Sequence, residues 1–382
     1  MKGSLKIGAA VLLALGVFSA SVRAQGTAIR QVVTNNTAYG TTSAEFLLIP
    51  ATARGSALGG AYAALASDLG SIYYNPAGLA LMERPGVMAS TMNYVSGTSY
   101  TYGAFGVPFA GGGKAVGFAV TTFGFGEQPV TTVEDPQGTS GQVYAVRETA
   151  ISGTFSQQFS DRFSAGMSVK FINDQLGDAA GQAFAVDCGT NFHSTLAGRT
   201  IRAAFVINNL GTNLRHSGSP LDVLYARQPP PGQDQVPQES AKATLQTKDW
   251  NLPITFRVAV AYDAFATSLS RLTLLGEFNQ PNSSQPGFGF GGEYNLTLGR
   301  SGFSLAGRLG MTYMPDDNLA PPDSGAATYA GFGTGLSGQP YRISAGGGLR
   351  YAKGGFGIGF DYAYRSYGLL GGVNMLGVSL NW

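Results

Sequence analysis

From Pro85 to Trp382 the chain falls into about fourteen segments of roughly ten to fifteen residues that alternate in polarity with a period of two. Clusters of Gly, Asn, Asp, Ser and Pro separate them. Successive side chains of a strand point to opposite faces, so this pattern restricts the fold more than any other feature. In Ile254–Ala264, the residues Ile254, Phe256, Val258, Val260 and Tyr262 take one face, and Thr255, Arg257 and Asp263 take the other. The same division separates Phe303, Leu305, Leu309, Met311 and Tyr313 from Ser304, Arg308 and Thr312. It also separates Phe356, Ile358, Phe360, Tyr362 and Tyr364 from Asp361 and Arg365. A soluble sandwich alternates too, but it places arginine and lysine outward and Leu or Val within. Charge turned inward and aliphatics outward is the pattern of a transmembrane barrel.

Aromatic spacing agrees. Tyr341 and Tyr351 share a face ten residues apart, as do Phe303 and Tyr313. Ten residues at roughly 3.3 Å reach about 33 Å, and a strand tilt near 40° reduces that to about 25 Å, the height of an outer-membrane apolar band. Connector length then alternates along the chain. Long stretches lie after Gly124, at Asn173–Gly181, Leu210–Asn251, Gln280–Pro286, Pro315–Gly338 and Ser366–Gly372. Tight turns lie between them at Asp161-Arg162, Thr195–Gly198, Ala266–Ser270, Gly299–Ser301 and Lys353–Gly355. Short turns on one side and longer loops on the other are the rule for outer-membrane barrels. The predicted architecture is an all-β, transmembrane antiparallel barrel of about fourteen strands spanning residues 84–382. Only 12% of residues are charged, well under the roughly one quarter of a water-soluble domain. The formal net charge of +2 gives no reason to expect nucleic acid as a partner.

At the other end, Lys2 and Lys6 precede an apolar core from Ile7 to about Ala20, and Val22-Arg23-Ala24 supplies small residues for a signal peptidase. Residues 1–24 therefore read as a signal peptide. Residues 25–45 are polar, show neither period, and read as an extended segment.

Residues 46–83 differ from both. Ser56 can cap a helix whose apolar face is Leu58, Ala61, Tyr62 and Leu65, ended by Asp68 and Gly70. Pro76 excludes Asn75 from the helical region, and Gly78 permits backbone shapes other residues resist, so Asn75-Pro76-Ala77-Gly78 reads as a defined turn. A Gly/Ala-rich helix, Tyr73-Tyr74-Asn75-Pro76-Ala77-Gly78-Leu79 and then a barrel resembles the FadL-like outer-membrane proteins. The preceding Phe46–Arg54, with the opening Arg54, Gly55, Gly59 and Gly60, is most similar to their PorV/PorQ branch. That resemblance implies a helical hatch folded into the lumen. The final strand, ending on Trp382, resembles the terminal signal read by the barrel-assembly machinery.

Nothing else carries chemistry. His193 and His216 lack metal-ligand spacing, so no metal is expected. Gly111-Gly112-Gly113-Lys114 misses the first glycine and the Ser or Thr of a phosphate loop and reads as a hairpin turn. Gly-x-Ser-x-Gly is absent, and neither a cofactor nor an enzymatic activity is indicated. The lone Cys188 shares parity with Phe184 and Val186 and is expected to be a buried small apolar residue. The predicted lumen lining is arginine-weighted: Lys170, Arg202, Arg257, Asp263, Glu277, Arg308, Arg342, Arg350, Asp361 and Arg365. Cross-strand ion pairs and bonds to the hatch are the plainest role for them.

Two functions follow from the resemblance. PorV/PorQ-like proteins serve type IX secretion, which implies secreted proteins or secretion-system components as partners, and this is the first expectation. FadL-like proteins take up fatty acids or aromatic hydrocarbons through a hatch-gated lumen, which implies a hydrophobic ligand. Either way the expected surroundings are outer-membrane lipid in a Gram-negative-type bacterium. The mature chain is then expected to begin near Gln25 and to fractionate with the outer membrane. N-terminal sequencing of the membrane fraction checks this, and an intact leader recovered in the inner membrane would contradict it.

Overall fold

The computed structural model describes residues 40–226, 240–299, 301–314 and 341–382. The expected signal peptide, most of the extended segment and the proposed loop Pro315–Gly338 lie outside the described residues. Seven strands precede the long central connection: β1 (Gly86–Asn93), β2 (Ser99–Phe109), β3 (Lys114–Pro129), β4 (Val143–Ser160), β5 (Phe163–Leu176), β6 (Ala179–Leu196) and β7 (Arg199–Gly211). The connection carries β8 (His216–Gly218), β9 (Asp222–Ala226) and β10 (Ser240–Thr244). Seven more follow: β11 (Thr255–Ala266), β12 (Ser270–Pro281), β13 (Gly287–Thr297), β14 (Phe303–Tyr313), β15 (Tyr341–Lys353), β16 (Phe356–Ser366) and β17 (Gly372–Asn381).

The first seven and last seven strands form one antiparallel barrel of fourteen, each paired with its sequence neighbour and β7 with β11. It closes where β1 meets β17, from Gly86 opposite Asn381 to Met92 opposite Met375. Closure leaves no wall strand with an open edge, which lipid, lacking hydrogen-bonding groups, would not tolerate. The alternating pattern fixes which face looks out. Phe118, Ile151, Phe184, Phe205, Leu309, Ile343 and Leu376 are all exposed on the outer wall, while Lys170, Asp187, Arg257, Glu293 and Arg308 are buried within. Phe303 pairs with Tyr351 at a ring separation of 4.7 Å, and Tyr313 pairs with Tyr341 at 5.1 Å, so both aromatic pairs sit at opposite ends of β14 and β15. Cys188 has the expected parity but is exposed. In a barrel of this kind the apolar face is the outer one, so an apolar position is not a buried one.

One rim carries only short turns, at 110–113, 161–162, 197–198, 267–269, 298–302 and 354–355. The other carries 94–98, 130–142, 177–178, 282–286 and 367–371, and on it β7 ends, β11 begins, β14 ends and β15 begins. The expected long connector at Asn173–Gly181 is corrected to a tight turn at Gly177 and Asp178, because β5 and β6 run on past it. β4 and β6, at 18 residues each, are the longest strands described. Within the long connection, β8 pairs with the start of β6, and β9 and β10 form a separate hairpin. Leu214 bridges Trp250, and Arg215 grips Asp249 through two bonds of 2.6 and 2.8 Å at the base of that hairpin. In the 130–142 loop, backbone N–H groups of Thr139 and Ser140 donate to Asp135 and hold its carboxyl below the ordinary range.

Longer loops face outward in such barrels, which sets a topology test. In a Cys188→Ser background, Val133→Cys is expected to react with an impermeant thiol reagent in whole cells. Ser301→Cys, in a short turn, is expected to react only once the outer membrane has been opened. The opposite pattern would invert the orientation.

Candidate functional site

The lumen is filled by residues 43–83, and the small residues are what let them in. A single helical turn, α1 (Ala53–Ala57), is capped by the Thr52 side chain, which accepts from Gly55 N at 3.2 Å. This corrects the expected longer helix capped by Ser56. Gly59 and Gly60, at φ +68° and +81°, end the helix before Leu65 can join it, since two successive left-handed residues cannot continue a right-handed turn. Asp68 and Gly70 do not end a helix either. Asp68 Oδ1 accepts from Gly70 N at 2.9 Å and opens a second turn, α2 (Ser71–Tyr74).

The Asn75–Gly78 corner has the expected form with a different reason for its glycine. Asn75 is extended, its Oδ1 accepts from Ala77 N at 3.1 Å, and its Nδ2 donates to Ala63 O at 3.0 Å and Thr190 O at 3.2 Å. Gly78 has no left-handed φ; a Cβ there would lie 2.1 Å from Ala66 O, so space is what demands glycine. The wall makes matching room. A Cβ at Gly166 or Gly189 would strike Pro76 or Asn75, and one at Gly310 would lie 2.1 Å from Gly59 N. Ser344 Oγ completes that contact, accepting from Gly59 N at 3.1 Å and donating to Ala57 O at 3.0 Å.

Charge ties this plug to the barrel. Arg54 Nε and Nη2 donate to Glu293 at 2.8 and 2.7 Å, and its Nη1 reaches Asp68 at 3.0 Å and Tyr62 Oη at 2.9 Å. Glu293 also accepts from Arg308 Nε at 2.7 Å, and Arg308 Nη1 donates to Asp361 at 2.6 Å. Strands β13, β14 and β16 are thereby linked to the hatch by one chain of alternating charge. Elsewhere Arg202 grips Asp263 through 3.0 and 3.1 Å bonds, and Glu277 accepts from Ala63 N at 3.1 Å while lying 3.9 Å from Arg257. Lys170 meets Asp187 at 2.6 Å and Asn209 at 2.8 Å. Arg350 stands apart, exposed at the short-turn rim.

Sequence reading missed Glu293 and Asp187 and took Asp68 only as a helix end, although Glu293 is among the most deeply buried side chains. Asp187 sits at a β-bulge where the β6–β7 register shifts opposite Asn208 and Asn209. Asn209 adopts φ +61° and donates its N–H to Asp187 at 2.8 Å. The signal was present: two consecutive asparagines in an alternating strand break the period of two.

Two larger cavities flank the plug. The one at the long-loop rim holds about 450 Å³ and is lined by Phe46, Tyr73, Tyr74, Tyr94, Phe123 and Tyr367 together with Arg257, Arg342 and Arg365. Arg342 and Arg365 lie over the Tyr367 ring at 5.8 and 5.7 Å, and Arg257 over Tyr73 at 5.9 Å. Arg365 donates Nη2 to Thr312 at 3.2 Å, while its buried Nε and Nη1 and the Nε of Arg257 have no hydrogen-bond partner among the described residues. Glu45 and Glu148 lie on the same lining. The cavity at the short-turn rim holds about 540 Å³ and is bordered by Arg54, Asp68, Arg84 and Arg350. Among the described residues no His, Cys, Asp and Glu cluster has metal-binding geometry.

Truncating one member of a buried ionic chain leaves its partners uncompensated, at a cost of about 3–5 kcal/mol. Arg308→Ala, which strands both Glu293 and Asp361, is therefore expected to lower the urea midpoint of the barrel strongly. Arg350→Ala, facing water, is expected to stay within about 0.5 kcal/mol. Equal effects, read from the loss of the compact band in unheated electrophoresis, would remove the ionic chain from the account.

No protein-family model and no curated relative matches the chain. Solved structures do. The CymD monoaromatic hydrocarbon channel aligns over 87% of this chain and 97% of its own at 11% identity and a TM-score of 0.51. The Ralstonia pickettii toluene transporter TbuX aligns over 88% and 98% at 12% identity and a TM-score of 0.50. A Pseudomonas aeruginosa FadL homologue aligns over 87% and 98% at 10% identity and a TM-score of 0.48. With its closed fourteen-stranded antiparallel wall, the chain has the fold of FadL-like outer-membrane channels.

Proposed function

We propose that this protein is an outer-membrane channel for hydrophobic small molecules, captured at the long-loop cavity and held there by the closed hatch. The observation that carries this reading is the cavity itself. Its walls are aromatic, which rewards apolar ligands by area, and its arginines offer unpaired donors to a carboxylate or other anionic end. The barrel's likeness to hydrocarbon and toluene channels supports the same reading. It takes precedence over the PorV/PorQ expectation of type IX secretion, for which no relative speaks.

One feature still favours a secretion accessory as the second reading. Between β7 and β11, the β9–β10 hairpin pairs with no wall strand and exposes Leu224 and Tyr225, as a protein-docking loop would.

The test is binding by the purified barrel of decanoate and of toluene. Decanoate affinity is expected to fall about tenfold, or 1.4 kcal/mol, in Arg365→Ala, with toluene affinity unchanged. Binding of neither compound would remove the channel reading. A secreted proteome altered by deletion of residues 222–244 would then install the accessory one.

A further inference from the structure

The cavities on either side of the hatch come close to meeting along one line of side chains. Tyr74 lines the long-loop cavity, and its ring stands edge-on to Tyr62 at 5.1 Å. Tyr62 in turn lies beneath the Arg54 guanidinium at 5.1 Å, and Arg54 lines the short-turn cavity together with Asp68. Both rings are almost fully buried. On this line the rings of Tyr74 and Tyr62 stand between the linings of the two cavities.

The two rings are held differently. Tyr62 is pinned at its tip: its hydroxyl donates to Asp68 at 2.7 Å and accepts from Arg54 at 2.9 Å. Tyr74 is held by shape. Its ring lies against the bare backbone of Gly55, where a Cβ would sit 2.4 Å from Cζ, and edge-on to Tyr73 at 4.7 Å. A ring kept in place by a missing side chain swings away more readily than one bonded at its end.

We propose that the passage through the hatch runs between Tyr74 and Tyr62, and that these two rings set its cross-section and so decide what crosses. The proposal rests on the channel reading above. It adds where the obstruction lies: Tyr74 is the movable leaf, Tyr62 the fixed one, and Arg54 keeps Tyr62 in register with the wall through Glu293. Aromatic faces along the line suit flat apolar molecules, whereas the Arg54–Asp68 pair at the far end suits release into water.

The experiment measures potassium chloride conductance of the full-length barrel in planar bilayers, with compact migration in unheated gels confirming the fold. Wild type is expected to sit at baseline. The Tyr62→Ala, Tyr74→Ala double variant is expected to rise at least about tenfold, since pore diameter governs conduction. Tyr62→Phe, which keeps the ring, is expected to stay at baseline. Tyr102→Ala is the matched control: this tyrosine is equally buried and donates to Leu69 O at 2.9 Å, but it lines neither cavity. Baseline conductance in the double variant, or an equal rise in Tyr102→Ala, would place the obstruction elsewhere and overturn the proposal. Should the double variant not fold, Gly55→Ala reads the same point, because its new methyl group must displace the Tyr74 ring. A rise is expected there, and a flat response overturns the assignment. Ion conductance does not depend on any hydrophobic ligand, so failure of decanoate and toluene binding alongside this pattern would remove the channel reading and leave the ring pair standing.

Discussion

Lipid offers a polypeptide backbone no hydrogen-bonding partner, and everything else in this structure follows from how the chain meets that demand. Pairing β1 with β17 closes the ladder of the wall, and closure creates an interior. Because the outer face must be apolar, the polar side chains of every strand converge on that interior, where each charge needs an opposite charge or a bond. The interior is thus ionic along the wall, while the hatch at its centre packs apolar side chains such as Leu58, Tyr62, Ile72, Tyr74 and Leu79.

The hatch resolves this concentration of charge. Arg54 supplies a second guanidinium to Glu293, which already accepts from the Arg308 that it shares with Asp361, and backbone amides of the hatch satisfy Glu277 and Ser344. Charge-assisted bonds in a site of low dielectric are strong when complete and costly when broken, so the plug is held by the same groups that would otherwise be stranded. Glycines on both sides reduce the separation enough for these bonds to form. Gly59 faces Gly310, and the Asn75–Gly78 corner faces Gly166 and Gly189.

What remains unfilled is then informative. The long-loop cavity combines tyrosine and phenylalanine rings with Arg257 and Arg365, each of which keeps a guanidinium N–H group without a hydrogen-bond partner among the described residues. Guanidinium donors beside an aromatic wall are the groups that the proposed channel would offer to an anionic end.

The barrel could be read from the order of residues alone, since a period of two is a local property that survives in one dimension. Strand number, the inward parity of Arg257, Arg308 and Asp361, and the aromatic pairs at the ends of β14 and β15 were all legible in it. So was the turn at Asn75 to Gly78, because Asx bonding and the restriction before proline act within a few residues. Which charges meet could only be decided by tertiary structure: Arg54 and Glu293 are 239 positions apart, and strand parity says a residue faces inward without saying what faces it. The extent of the helix was likewise settled by the wall, which needs Gly59 in a left-handed turn against β14 and thereby stops α1 after one turn. The two cavities and the tyrosines between them are properties of the space left over when wall and plug come together, a quantity that exists only in three dimensions.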